Sequence, residues 1–131
     1  MPHTMPDPTY KVLVVDDDPF IRRLISSILT LKGHQCEEAK EGAEALEKFT
    51  QNLFDAVITD IRMPGMDGIE LTRELLNLQP ALPIIVMTGY HDVSIAEEAV
   101  LTKASDCLNK PFSLMDLLTR FTKVMPSQRK L

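Results

Sequence analysis

No stretch of this 131-residue chain approaches the roughly 20 consecutive apolar residues needed to cross a bilayer. The first ten residues, MPHTMPDPTY, lack the apolar centre of a secretory signal. Cysteine is scarce. Cys36 and Cys107 are too few and too far apart for a zinc site or a disulfide framework, and both read as small buried apolar side chains. Positive charge is not in excess either: 14 Lys and Arg against 19 Asp and Glu leave a net charge of −5, which argues against a general nucleic-acid surface. Internal repeats and low-complexity tracts are absent. The expectation is a cytoplasmic protein with no membrane and no direct nucleic-acid partner. What is present is an ordinary 44% of apolar residues, enough to exclude a wholly disordered chain. The length suits one core that folds without staples.

Residues 1–9 hold three prolines and read as a flexible leader; residues 126–131, PSQRKL, read as a polar tail or the stump of a linker. Between them, residues 10–125 alternate strand and helix. Lys11–Val15 (KVLVV) has the β-branched character of a buried strand. Asp18 before Pro19 is a helix start, Phe20, Ile21, Leu24, Ile25, Ile28 and Leu31 follow at helical spacing, and Gly33 ends the helix. Gln35–Ala39 is a more polar strand suited to a sheet edge, and Ala43, Leu46 and Phe49 mark a second helix. Phe54–Thr59 is a third strand that ends at Asp60 and opens into the turn-rich loop IRMPGMDG. Ile69–Leu78 is a third helix, stopped by Pro80. Ile84–Thr88 is a nearly unbroken apolar strand of the kind covered on both faces. Val93, Ala96, Ala99 and Val100 mark a fourth helix, Asp106–Asn109 a fifth strand, and Leu114, Leu117, Leu118, Phe121 and Val124 a last helix. This alternation gives an α/β sandwich around a parallel sheet with right-handed crossovers.

In such sheets ligands bind at the carboxyl ends of the strands. Those ends carry Asp16 and Asp17, Asp60, Thr88 and Lys110. Acids brought within a few ångströms repel one another, so at least one pKa should rise, and a divalent cation with hard oxygen ligands would relieve the repulsion. Asp16, Asp17 and Asp18 also suit a solvated acidic turn, and Asp18 is better explained as a helix cap. Asp60, held at a strand end, suits a nucleophile toward phosphorus, and equally a plain metal ligand. Lys110 precedes Pro111, and a cis bond there would aim its ammonium over the sheet edge; a surface lysine before a turn is the simpler alternative. Thr88 offers a hydroxyl donor, or is only a strand-favouring residue.

Four segments carry a family resemblance: VLVVDDD (Val12–Asp18), ITDIRMPGMDG (Ile58–Gly68), PIIVMTGY (Pro83–Tyr90) and NKPF (Asn109–Phe112). Together, in this order and spacing, they resemble the receiver domain of bacterial two-component response regulators. The resemblance implies a flavodoxin-like, doubly wound sandwich with five helices and a five-stranded parallel sheet of order 2-1-3-4-5. It implies Asp60 as the phosphoacceptor and Mg²⁺ or Mn²⁺ held by Asp16, Asp17, Asp60 and the backbone carbonyl of Arg62. It implies Lys110 and Thr88 as the groups that meet the phosphoryl oxygens, with Met63, Pro64 and Gly65 shaping the loop over the site. Its partners would be a sensor histidine kinase or a histidine phosphotransfer protein. An output partner or a second copy would meet the surface of the fourth helix, fifth strand and fifth helix.

Two positions depart from that pattern. Cys107 stands where receivers usually carry the Tyr or Phe that changes rotamer on activation; Tyr90 is a candidate substitute. Arg62, two residues past Asp60, is a long cation expected to border the path of the attacking water and so to modulate dephosphorylation. The alternative function is a phosphohydrolase with an aspartyl-phosphate intermediate. Such enzymes usually place a second acid where Arg62 stands, and a guanidinium cannot give up a proton at neutral pH. A flavin module is disfavoured by three aspartates where a phosphate would bind.

The sheet order makes a direct prediction about the thiols. In order 2-1-3-4-5 the two cysteines lie on opposite edge strands, whereas a disulfide needs Cα atoms within about 7 Å. Thiol titration of the oxidised monomer should find both cysteines free, and an intramolecular bond between them would refute the topology.

Overall fold

Whether a strand of this chain sits at the centre or the edge of the sheet follows its apolar content. The computed structural model describes residues 8–89, 95–101 and 103–126. Its strands are β1 (Lys11–Val15), β2 (Gln35–Ala39), β3 (Ala56–Asp60), β4 (Ile84–Thr88) and β5 (Asp106–Asn109), all parallel, in the order β2-β1-β3-β4-β5. The three inner strands are the apolar ones, and every residue of β3 is buried. In β2 (QCEEA) only Ala39 is buried, and in β5 (DCLN) only Leu108. An inner parallel strand is covered on both faces and needs an apolar run, whereas an edge strand keeps one flank in water.

Side chains alternate across the sheet. Leu13, Val15, Val57, Ile84 and Val86 face one layer, packed with Phe49, Leu71 and Leu75. Val12, Val14, Ile58, Ile85 and Met87 face the other, packed with Ile25, Leu29, Leu117 and Phe121. These partners come from the helices α1 (Pro19–Leu31), α2 (Gly42–Gln51), α3 (Gly68–Leu78), α4 (Ile95–Leu101) and α5 (Leu114–Val124). Helices α1 and α5 cover one face; α2 and α3 cover the other, where Val100 and Leu101 of α4 also pack.

The helix ends are fixed by local chemistry. The Asp18 side chain accepts from the Phe20 N–H with Pro19 at the first helical position. Gly33 takes φ +95° and sends its N–H to Thr30 O, while the His34 N–H reaches Leu29 O. Those two bonds satisfy the last carbonyls of α1 and require the left-handed residue between them. Asp67 caps α3 through the N–H groups of Ile69 and Glu70. Ser113 and Asp116 form a reciprocal capping box on α5.

Several expectations need correction. The third strand is Ala56–Asp60, so it starts two residues later than the apolar run and includes Asp60 itself. The Asp55 carboxylate instead accepts from the Lys11 N–H, which ends the ladder at Ala56. The cysteines are not both buried: Cys36 is half-buried and Cys107 is exposed, because each sits on an edge strand with a solvent-facing flank. On α1 the helical spacing is right but the core takes only part of it. Ile25 and Leu29 are buried, whereas Phe20 is 71% exposed and Leu31 86% exposed. Tyr90 and Val93 lie outside the described residues, as do residues 1–7 and 127–131 of the expected leader and tail.

The start of α3 is pressed against the end of β3. A Cβ on Gly68 would lie 1.9 Å from the Asp60 carbonyl oxygen, and the Gly68 N–H donates to Ile61 O at 2.8 Å. Only glycine permits this approach, and it holds the backbone that carries Asp60. Gly68→Ala should therefore lower stability by about 1–3 kcal/mol. Urea unfolding checks this; an unchanged midpoint would mean that the helix can slide away freely.

Candidate functional site

Because all five strands are parallel, their carboxyl ends share one rim of the sheet. Asp16 and Asp17 follow β1, Asp60 closes β3, Thr88 closes β4, and Lys110 follows β5. The rim brings the sequence-predicted residues together. One carboxylate oxygen from each of Asp16, Asp17 and Asp60 can be chosen so that all lie within 4.8 Å of one another. Asp16 and Asp60 are buried and Asp17 is exposed. The Lys110 Nζ stands 2.8 Å from Asp16 Oδ2 and 3.4 Å from Asp60 Oδ1. The Lys110–Pro111 bond is cis, as its sequence suggested.

The backbone pins these groups further. Asp16 Oδ1 accepts from the Asp18 N–H at 2.9 Å, and Asp60 Oδ1 accepts from the Ile61 N–H at 3.0 Å. Thr88 stands one residue beyond the register partner of Asp60, and its carbonyl accepts the Lys110 N–H at 2.7 Å. The neighbouring edge strand is thereby tied to the same rim.

Burial and the charge of Asp16 push the Asp60 carboxyl up from 3.8 to about 6, although Lys110 and the Ile61 N–H work against the rise. Burial disfavours the charged form of Lys110. Its hydrogen bond to Asp16 and the charges of Asp60 and Asp16 outweigh that penalty and raise its pKa. Acids outnumber cations on the rim, and burial together with that imbalance keeps the Asp60 proton bound to higher pH. Three carboxylates with hard oxygens, one of them open to solvent, fit Mg²⁺ or Mn²⁺, which take oxygen ligands and retain water.

The departures from the expected pattern have definite places. Cys107 lies exposed on β5, and its N–H donates to its neighbour Asp106, whose carboxylate also holds Arg120. The Arg62 guanidinium forks onto Glu97, with Nη1 to Oε2 and Nη2 to Oε1 both at 3.1 Å, and lies 3.7 Å from Asp67. Sequence reasoning missed two residues here. Arg22 donates Nη1 to the Asp16 carbonyl at 2.8 Å and Nε to Glu38 at 2.9 Å, so it clamps the acidic turn to β2. Its only sequence signal was a cation in the first turn of a helix, where the macrodipole disfavours one. Glu97 gave no signal, since its partner is 35 residues away.

The raised carboxyl has a consequence for stability. Between about pH 4 and 6 the folded chain holds a proton at Asp60 that the unfolded chain has lost, so stability falls as pH rises through that window. Above it the ionised group costs the metal-free fold on the order of 1–2 kcal/mol. Asp60→Asn should raise the metal-free Tm at pH 7.5 by about 3–6 °C and flatten the pH slope. Calorimetry across pH 4–8 checks this; equal curves for the two proteins would contradict it.

Comparison with known proteins agrees with the geometry. A family model, response regulator receiver domain, matches residues 12–122. The response regulator MprA of Mycobacterium sp. (strain KMS) is 38% identical over 115 residues, covering 88% of this chain and 50% of that protein. The transcriptional regulatory protein ZraR of Escherichia coli (strain K12) is 38% identical over 114 residues, covering 87% of this chain and 26% of that protein. Among solved structures, the chemotaxis protein CheY4 of Vibrio cholerae superposes with a TM-score of 0.81 at 32% identity, covering 90% of this chain and 100% of that one. The chain spans about half the length of MprA and about a quarter of ZraR. By its fold, its rim of acids and these matches, the chain belongs to the response regulator receiver domains of two-component systems.

Proposed function

We propose that this domain is a phosphorylation-activated signalling switch, with Asp60 as its phosphoacceptor. One observation carries the reading: a strand-end carboxyl that is buried and raised in pKa faces an ammonium 3.4 Å away. A carboxylate so placed is fixed in direction and poorly solvated, which suits attack on phosphorus. A carboxylate oxygen of Asp60 bonds to the phosphorus of a phosphohistidine. The P–N bond breaks, and its electron pair returns to the imidazole, which takes up a proton. The donor is a sensor histidine kinase or a histidine phosphotransfer protein.

Lys110 then has a phosphoryl oxygen in place of the carboxylate oxygen it now faces, and Thr88 supplies a hydroxyl donor from the adjacent strand. Asp16, Asp17, Asp60 and the backbone carbonyl of Arg62 are the groups that would hold Mg²⁺ or Mn²⁺. When bound, the cation screens the negative charge that two approaching anions bring together. Arg22 keeps the turn bearing Asp16 in register with β2. The role is regulatory, and the domain assists its own phosphorylation and dephosphorylation.

Signal output runs through the surface of α4, β5 and α5, toward an output partner or a second copy. Residues 10–125 form the switch. The cell compartment is the cytoplasm. No helix among the described residues is long and apolar enough to cross a membrane.

Acetyl phosphate with Mg²⁺ should add the mass of one phosphoryl group to the wild-type chain, and hydroxylamine should remove it. Asp60→Asn should stay unmodified. Peptide mass spectrometry locates the group, and its appearance on any other residue would overturn the assignment.

A further inference from the structure

The ion pair between Arg62 and Glu97 joins the phosphoacceptor loop to a short helix. Helix α4 has seven residues, too few to be stable alone in water. Val100 and Leu101 near its end pack on the core. Its first turn is tied by Glu97, whose two carboxylate oxygens each accept from one arm of the Arg62 guanidinium at 3.1 Å. Asp67 adds a third point of contact. Its Oδ1 caps α3 while its Oδ2 lies 3.7 Å from Arg62 Nη1. One side chain thus spans the end of β3, the cap of α3 and the start of α4. It stands on the second residue after Asp60, so at most about 7 Å of backbone separates the two Cα atoms.

We propose that Glu97 is a positioning residue: it parks the Arg62 guanidinium on α4, and a phosphoryl group on Asp60 competes for that guanidinium, so that phosphorylation unties the first turn of α4. This inference rests on Asp60 being the phosphoacceptor. The competition follows from charge. An acyl phosphate carries about one more negative charge than the carboxylate it replaces and presents more acceptor oxygens. The Arg62 side chain is half-exposed and that of Glu97 partly exposed, so that ion pair is weak enough to be exchanged. The exchange supplies a coupling from site to surface that Cys107 cannot supply. Its side chain is small, and it sits exposed on β5 with no ring to reorient.

Linkage sets the sign of the test. If a phosphoryl group breaks the pair, then removing the pair must strengthen binding of a phosphoryl mimic by the same factor. Beryllofluoride with Mg²⁺ is titrated calorimetrically into the 131-residue chain and its variants. Glu97→Gln should bind about two- to fivefold tighter than wild type, the range of an exposed ion pair. Glu97→Asp should stay near wild type. Arg62→Ala should show no gain, and Glu97→Gln combined with Arg62→Ala should match Arg62→Ala alone. Amide exchange of residues 95–101 in unliganded Glu97→Gln should be faster than in wild type.

A merely structural ion pair would move the two single variants in the same direction. Equal or weaker binding by Glu97→Gln, a gain that persists without Arg62, or unchanged exchange in α4 would each overturn the inference. Absence of beryllofluoride binding to wild type would overturn the phosphoacceptor reading, and the inference with it.

Discussion

The contact between Lys110 and Asp16 is the constraint around which the rim is organised. Asp16 is fully buried, and a carboxylate in that position is tolerable only with a close partner. Lys110 meets that need at 2.8 Å while remaining 3.4 Å from Asp60. A single ammonium therefore bridges the ends of two inner strands from a loop that leaves the edge of the sheet. The same arrangement leaves Asp60 under-compensated, because the closer share of Lys110's charge goes to Asp16. The site is thus built with a deficit of positive charge, and a cation or a change at Asp60 alters its balance directly.

Much of the scaffold serves to keep that deficit in place. Gly68 brings the first turn of α3 against the Asp60 carbonyl, Asp67 closes that turn, and Arg22 ties the acidic turn to β2. None of these groups touches all three carboxylates, yet each fixes a backbone that one of them stands on. The layers beneath are ordinary apolar packing, and their role is to make the strand ends rigid. A carboxylate on a freely moving loop would escape its neighbours and relax toward an ordinary pKa.

The fold was legible because its signals are local. Apolar runs at Lys11–Val15 and Ile84–Thr88, the Asp18–Pro19 start and Gly33 each declare an element within a few residues. The acid cluster was legible for a related reason: parallel strands deliver their carboxyl ends to one rim, so strand position alone gathers Asp16, Asp17, Asp60, Thr88 and Lys110. What escaped was set by tertiary packing. The exposure of Phe20 and Cys107 depends on which flank meets a neighbour, and spacing does not encode that. Arg22 and Glu97 matter through partners distant in sequence, Glu38 and Arg62, whose pairing no periodicity announces. The start of the third strand was misplaced because Phe54 is buried without belonging to the ladder.

The polarity of the two outer strands bears on how this domain behaves at high concentration. Open strand edges are templates on which other chains can add by backbone hydrogen bonding, and such addition grows into insoluble aggregates. Here β2 offers an incoming strand Glu37 and Glu38, and β5 is only four residues long and begins with Asp106. A second copy arriving edge to edge would find a short ladder flanked by charged side chains that must stay hydrated. Short, polar outer strands in this way discourage polymerisation through the sheet.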